Sequence, residues 1–253
     1  MVKIQMAAIV NVNISETNYY LATQHMLAWA GSHESRFVCA ANVHMLMEAY
    51  DSDPFRNIVN ESDLVTPDGM PLVWMMRLKG VRGQPRVYGP ILMLQVLDAA
   101  AKARIPVGFY GGAPEVLDHL IKRMQARYEG LSVAYSCSPP FRELTIGEDT
   151  EVVQKVNQSG ARILFVGLGC PRQEIWMAEH RGRIQAVMLG VGAAFDFYAG
   201  TKPQAPAWMQ ALGLEWLFRL LTEPRRLWKR YLYHNPRFVV LAIADLLSWW
   251  KVH

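Results

Sequence analysis

Three cysteines in 253 residues, Cys39, Cys137 and Cys170, are too few and too scattered for a disulfide framework. No CxxC pair suggests a zinc knuckle, and the seven histidines show no ligand spacing. Metal-site chemistry is therefore not expected. No stretch approaches the roughly 20 apolar residues that a spanning helix needs. The longest candidate, FVVLAIADLLSWW at 238–250, is short and carries Asp245. The N-terminal apolar run is interrupted by Asn11 and Asn13 and is too short for a secretory signal. These absences predict a cytoplasmic protein, held to a surface only peripherally. Charged residues are also sparse, at 19% against 51% hydrophobic, which excludes disorder and predicts a large core. Neither an internal repeat nor a low-complexity segment occurs.

What the chain does contain is an alternation. FVCAAN (37–42), PRVYG (85–89), IPVGFYGG (105–112), SVAYS (132–136), RILFVGLG (162–169) and AVMLGVG (186–192) are short apolar runs ending in small or polar residues. Amphipathic stretches such as 91–103 and 114–128 lie between them. Buried strands alternating with helices predict an α/β, Rossmann-like parallel sheet over residues 1–205. From Ala205 onward the pattern becomes helical, with prolines at 203, 206, 224 and 236 dividing three pieces. Pro224 is expected to break the helix and swing a second one over the core, and Pro236 is expected to begin a helix. Residues 206–253 thus form a helical appendage.

That appendage is basic and rich in tryptophan. Arg219, Arg225, Arg226, Lys229, Arg230 and Arg237 face one acid, Glu223, and five of the eight tryptophans lie there. A solvated helix face is one reading. A surface for an anionic partner, such as membrane headgroups, nucleic acid or a diphosphate, is the other.

Several motifs carry chemical content. GFYGGAPEV (108–116) places Gly111 and Gly112 between a strand and a helix opened by Pro114, either an ordinary strand-to-helix turn or one that aims N–H groups at an anion. TPDG (66–69) is either a plain turn or a carboxylate at a strand end, placed as a general base. DSD (51–53) lies between a helix and Pro54 and is a helix-end turn, not a metal-binding pair. GLGCPRQE (167–174) and GVGAAFDF (190–197) fail the dinucleotide fingerprint, because Arg172 and Phe195 stand where its third glycine belongs. A nucleotide-dependent oxidoreductase remains the alternative, and a basic module binding RNA or membrane is a third reading.

Together, SDLVTPDG, RVYG, FYGG, SPPFR, FVGLGCPRQE, GVGAAFDFYAG and LEWLFRLLTEPRRLWKRY resemble, in this order, the WecG/TagA/CpsF family of bacterial glycosyltransferases. The resemblance covers nearly the whole chain. It implies an inverting, metal-independent transfer of a sugar from a UDP-sugar to a polyprenyl-diphosphate-linked saccharide. It also implies work at the inner membrane face, in cell-surface polysaccharide synthesis, without nucleic acid; the apolar helix at 238–250 is alternatively a dimer interface, which would make the protein a homo-oligomer. By the same resemblance Asp68 is the base. Asn42, Arg86 and Gln173 hold the donor sugar or its diphosphate, and Asp196 contacts the nucleoside. Arg219, Arg226 and Lys229 reach the active site from the appendage, near the UDP phosphates. The segment from Phe238 to Trp250 is then expected in the membrane interface. Two positions depart from the family's pattern: Ala40 stands where threonine is common, and Ile91 where aspartate is common. Both changes remove polar groups expected near the sugar. They leave N-acetylmannosamine, its uronic acid and glucose as donor sugars.

Overall fold

The computed structural model describes residues 4–252. In chain order come β1 (Met6–Ile9), β2 (Val12–Ser15), α1 (Tyr19–Gly31), β3 (Arg36–Ala41), α2 (Val43–Asp51), α3 (Asp53–Asn60) and β4 (Leu64–Pro67). Next are α4 (Met70–Leu78), α5 (Gly89–Ala103), β5 (Val107–Gly111), α6 (Pro114–Arg127), β6 (Val133–Cys137) and α7 (Ile146–Ser159). The last part holds β7 (Ile163–Gly167), α8 (Arg172–Glu179), β8 (Val187–Gly190) and α9 (Ala194–Ala199). It closes with α10 (Ala207–Ala211), α11 (Glu215–Thr222) and α12 (Pro224–Val252).

Six strands form one parallel sheet in the order β4-β3-β8-β7-β5-β6. The period of two along each strand sorts side chains to opposite faces. Leu164, Val166 and Met188 enter one apolar layer, and Ile163, Phe165, Val187 and Leu189 the other. Helices cover both faces, which is why these strands read as nearly unbroken apolar runs. The fold is α/β and Rossmann-like. All strand carboxyl ends lie along one edge, and ligands bind beyond that edge in sheets of this kind.

Three expectations need correction. PRVYG is not a strand: Pro85 and Pro90 supply no N–H donors, and Val87 N–H to the Pro67 carbonyl (3.0 Å) is too little for a ladder. Gly89 instead begins α5. Pro236 does not begin a helix but lies inside α12. The Leu232 carbonyl that loses its donor belongs to an exposed residue, open to solvent. The third correction is the antiparallel β1–β2 hairpin, which the pattern of apolar runs did not reveal. Its two-residue turn, Val10 and Asn11, has φ of 48° and 64°, and a β-branched residue is unfavourable there. The other local readings hold. Pro224 starts a new helix after α11, and DSD joins α2 to α3, with Ser52 capping α3.

No helix among the described residues is long and apolar enough to cross a membrane. One side of α12 packs on the core through Phe238 and Ala242, while Val240, Ile243, Leu247 and Trp250 are exposed. Only one face of 238–250 is therefore available to an interface. Arg237 forks onto Asp51 at 2.5 and 2.8 Å. Asp245 accepts from Lys79 Nζ (2.6 Å) and from the Val10 amide (3.2 Å), so α12 also ties down the strained turn. The Lys79 side chain is only 6% exposed. Asp245→Ala strips a buried ammonium of its counter-ion and is expected to cost about 1–3 kcal/mol of stability. Urea unfolding measures this, and an unchanged midpoint would show that the pair does not anchor the helix.

Candidate active site

Asp68 follows β4 directly, and Asn42 follows β3, so sheet pairing brings both to the same edge. Asn42 caps α2, its Oδ1 accepting from the amides of His44 and Met45. Its Nδ2 then faces Asp68 Oδ2 at 3.5 Å. The Gly89 amide donates to Asp68 Oδ1 at 2.7 Å, so one carboxylate oxygen is held firmly and the other only loosely. Burial pushes the Asp68 carboxyl up to about 6, although the Arg86 charge and the Gly89 amide pull the other way. Arg86 Nε donates to the Asp68 carbonyl, and Arg86 Nη2 forms an ion pair with Glu215 Oε2 at 2.6 Å. The Tyr88 hydroxyl donates to Glu215 Oε1 at 2.9 Å. Glu215 belongs to α11, so this network joins the sheet edge to the helical tail.

Two cavities meet at Asp68. The larger, about 1250 Å³, runs along the ends of β5, β7 and β8 and is lined by Gly112, Gly169, Gln173, Gly192 and Asp196. The smaller, about 470 Å³, is predominantly apolar and lies between α4, α11 and α12, lined by Met70, Trp74, Leu78, Trp216, Phe238 and Ile243. Asn42, Asp68, Glu215, Arg219 and Arg230 line both.

Gln173 is nearly buried. Its Oε1 accepts from the amides of Gly169 (3.2 Å) and Gly192 (3.1 Å), and its Nε2 donates to Glu174 Oε1 (2.7 Å). It therefore ties together the loops after β7 and β8. Glu174 is fully buried, and that burial pushes its carboxyl up to about 7. Gly112 lines the larger cavity but Gly111 does not. Gly111 has φ +117°, and a Cβ there would meet the Gly167 carbonyl carbon at 2.7 Å, so this glycine serves close packing behind the cavity wall. Neither α6 nor α8 has a side-chain N-cap, and both open on this cavity; the Gln173 amide of α8 is given to the Gly169 carbonyl at 2.9 Å, and the other N–H groups of the two first turns face an anion site. Asp196 accepts from Lys202 Nζ at 3.1 Å and from the Thr201 hydroxyl at 3.3 Å. Ala40 also lines the larger cavity, whereas Ile91 lines neither.

Among the basic residues, Arg219 lines both cavities and Arg226 the larger one, where it pairs with Glu223 at 2.7 Å. Lys229 lines neither. It is exposed, with its ammonium 5.6 Å from the Trp228 ring centroid. Arg230, which the sequence reading passed over, takes that place, because it lies one helical turn beyond Arg226 on α12. Burial, with repulsion from Arg219 and Arg226, lowers the Arg230 pKa. Lys202 and Glu215 were also missed; only the i,i+4 relation of Arg226 and Arg230 offered a local signal. Arg86 differs from expectation as well. It lines the smaller cavity, not the larger, and its guanidinium is committed to Glu215 and the Asp68 carbonyl.

A basic cleft beyond a parallel sheet, with a raised carboxyl at its mouth and an apolar groove beside it, fits a group-transfer enzyme with an anionic and an apolar substrate. Residues 7–251 match the Glycosyl transferase WecG/TagA/CpsF family, and the chain belongs to it. It is a glycosyltransferase, and the oxidoreductase reading falls. An N-acetylglucosaminyldiphosphoundecaprenol N-acetyl-beta-D-mannosaminyltransferase of Bacillus spizizenii is 31% identical over 218 residues, covering 86% of this chain and 82% of that protein. The protein of the same description from Bacillus subtilis strain 168 is 27% identical over 237 residues, covering 93% and 88%.

Gln173→Ala should free both glycine loops and remove the side-chain amide that donates to Glu174, lowering stability of the ligand-free protein by about 1–3 kcal/mol. Urea unfolding in the absence of nucleotide checks this. A variant of normal stability would mean that Gln173 does not hold the loops.

Proposed function

We propose that the protein transfers a sugar, with inversion, from a UDP-sugar to a saccharide on a polyprenyl diphosphate, working peripherally at the inner membrane face in cell-surface polysaccharide synthesis. The single observation that carries this reading is the meeting, at Asp68, of a larger, more polar cavity that holds arginines and a predominantly apolar groove. The donor's diphosphate suits the polar cavity, with its arginines and uncapped helix starts. The lipid end of the acceptor suits the groove. The two Bacillus relatives are named for an N-acetylmannosaminyl group and an undecaprenyl-linked acceptor, which favours N-acetylmannosamine for this chain. Ala40, on the wall of the polar cavity, keeps glucose and the uronic acid in the donor range.

In the proposed reaction an acceptor hydroxyl oxygen attacks the anomeric carbon on the face opposite UDP. Asp68 Oδ2, the loosely held oxygen, takes the hydroxyl proton as the new bond forms. The bond to the UDP oxygen breaks, and its electron pair leaves with UDP. Arg219, Arg226 and Arg230, with the N–H groups opening α6 and α8, stabilise that developing charge. Arg86 and Glu215 act earlier, by fixing the backbone on which Asp68 stands. Residues 206–253 act as an appendage that completes the site over the catalytic core of residues 1–205.

Asp68→Asn retains the shape but removes the proton acceptor, so turnover should fall about 10²–10⁴-fold while UDP affinity stays near normal. In the unsubstituted enzyme, turnover should fall as pH drops below about 6, because a protonated Asp68 cannot act as base. Steady-state rates with a soluble acceptor analogue, and calorimetry with UDP, check both. Near-normal turnover of the variant would remove Asp68 from the role.

A further inference from the structure

His44 lies in the first turn of α2, and Glu48 stands one turn further along the same face. His234 reaches the same point from α12. His44 Nδ1 is 3.5 Å and His234 Nε2 is 3.6 Å from the same oxygen, Glu48 Oε1. One donor atom from each of the three residues lies within 4.8 Å of the others. Those separations are long for hydrogen bonds, which run about 2.7–3.2 Å for a nitrogen donor and an oxygen acceptor. They approach the edge of a tetrahedral site, about 3.3 Å when each ligand lies about 2.0–2.1 Å from the ion. His44 Nδ1 is also buried without a hydrogen-bond partner. Burial disfavours the charged form of both imidazoles, and neutral imidazole is the form that binds metal.

We propose that His44, Glu48 and His234 bind a single transition-metal ion of zinc type, clamping α12 to α2. Two imidazoles and one carboxylate suit zinc better than magnesium, which prefers an all-oxygen octahedral shell. Arg230 opposes a cation at both imidazoles, with Arg219 adding to it at His44 and Arg237 at His234, while the Glu48 and Asp51 carboxylates favour one at His234. The clamp is structural. It joins the helix capped by Asn42 to the helix carrying Arg226 and Arg230, so its chemistry is to hold the two halves of the cleft in register.

The test uses the full chain, stripped with a chelator, equilibrated with zinc chloride and desalted. Metal content is read by mass spectrometry, melting temperature with zinc or magnesium, and cobalt(II) visible absorption as a report on tetrahedral nitrogen and oxygen ligands. Glu48→Gln and His234→Asn are compared, each first shown to be folded by circular dichroism. The expected result is one zinc per chain, a melting temperature raised by zinc but not by magnesium, and binding weakened at least about tenfold in both variants. Failure of the unsubstituted protein to retain zinc, an equal response to magnesium, or undiminished binding in both variants would overturn the proposal. None of these readouts depends on transferase activity.

Discussion

The Arg86–Glu215 ion pair is the contact on which the site's arrangement depends. Its two members are 129 residues apart, one beside the end of β4 and one at the start of α11. Arg86 also grips the Asp68 carbonyl, and Glu215 takes the Tyr88 hydroxyl. Both ionised side chains are about 15% exposed, so each would carry a heavy desolvation cost without the other. The pair is therefore an alignment device more than a source of net stability. It sets the distance between a carboxylate fixed by the sheet and cations supplied by the tail.

Around that fixed point the chemistry divides by polarity. Strand ends and glycine loops make one wall, where backbone N–H groups and guanidiniums face a large polar space. Helices α4, α11 and α12 make the other, where methionine, leucine and tryptophan side chains leave an apolar groove. Asp68 stands where the two meet, and its burial among them is what raises its pKa. A base with a pKa near 6 is still ionised at neutral pH, yet it accepts a proton more readily than an exposed aspartate.

Much of this was legible in the sequence where the signal was local. Five of the six sheet strands appear as apolar runs because both faces are covered, and FYGG marks a strand end; β4 is only four residues long and ends in TPDG, which by itself reads equally as a turn. The failures arose where distant contacts overruled local rules. Val10 and Asn11 lack the glycine of a typical hairpin turn, and Asp245, far along the chain, holds that turn in place. Pro236 reads as a helix start, but Phe238 and Ala242 bury themselves on the core in a phase that carries the helix straight through. Lys229 came with Arg219 and Arg226 from the family resemblance, but α12 turns its neighbour Arg230, one turn beyond Arg226, toward the cavity. The resemblance gives Arg86 to the donor, and its partner Glu215, 129 residues away, leaves no local signal of the ion pair that engages it.

The central claim is that nucleotide and lipid occupy separate cavities meeting at Asp68. Amide and indole NMR titrations, first with UDP and then with a short-chain polyprenyl-diphosphate saccharide added to the UDP complex, test it most directly. UDP should move the Gly112, Gly169 and Gly192 amides, and the lipid analogue should move the Trp74 and Trp216 indoles while UDP stays bound. Displacement of UDP by the analogue, or movement of those indoles by UDP with the three amides unaffected, would contradict the account.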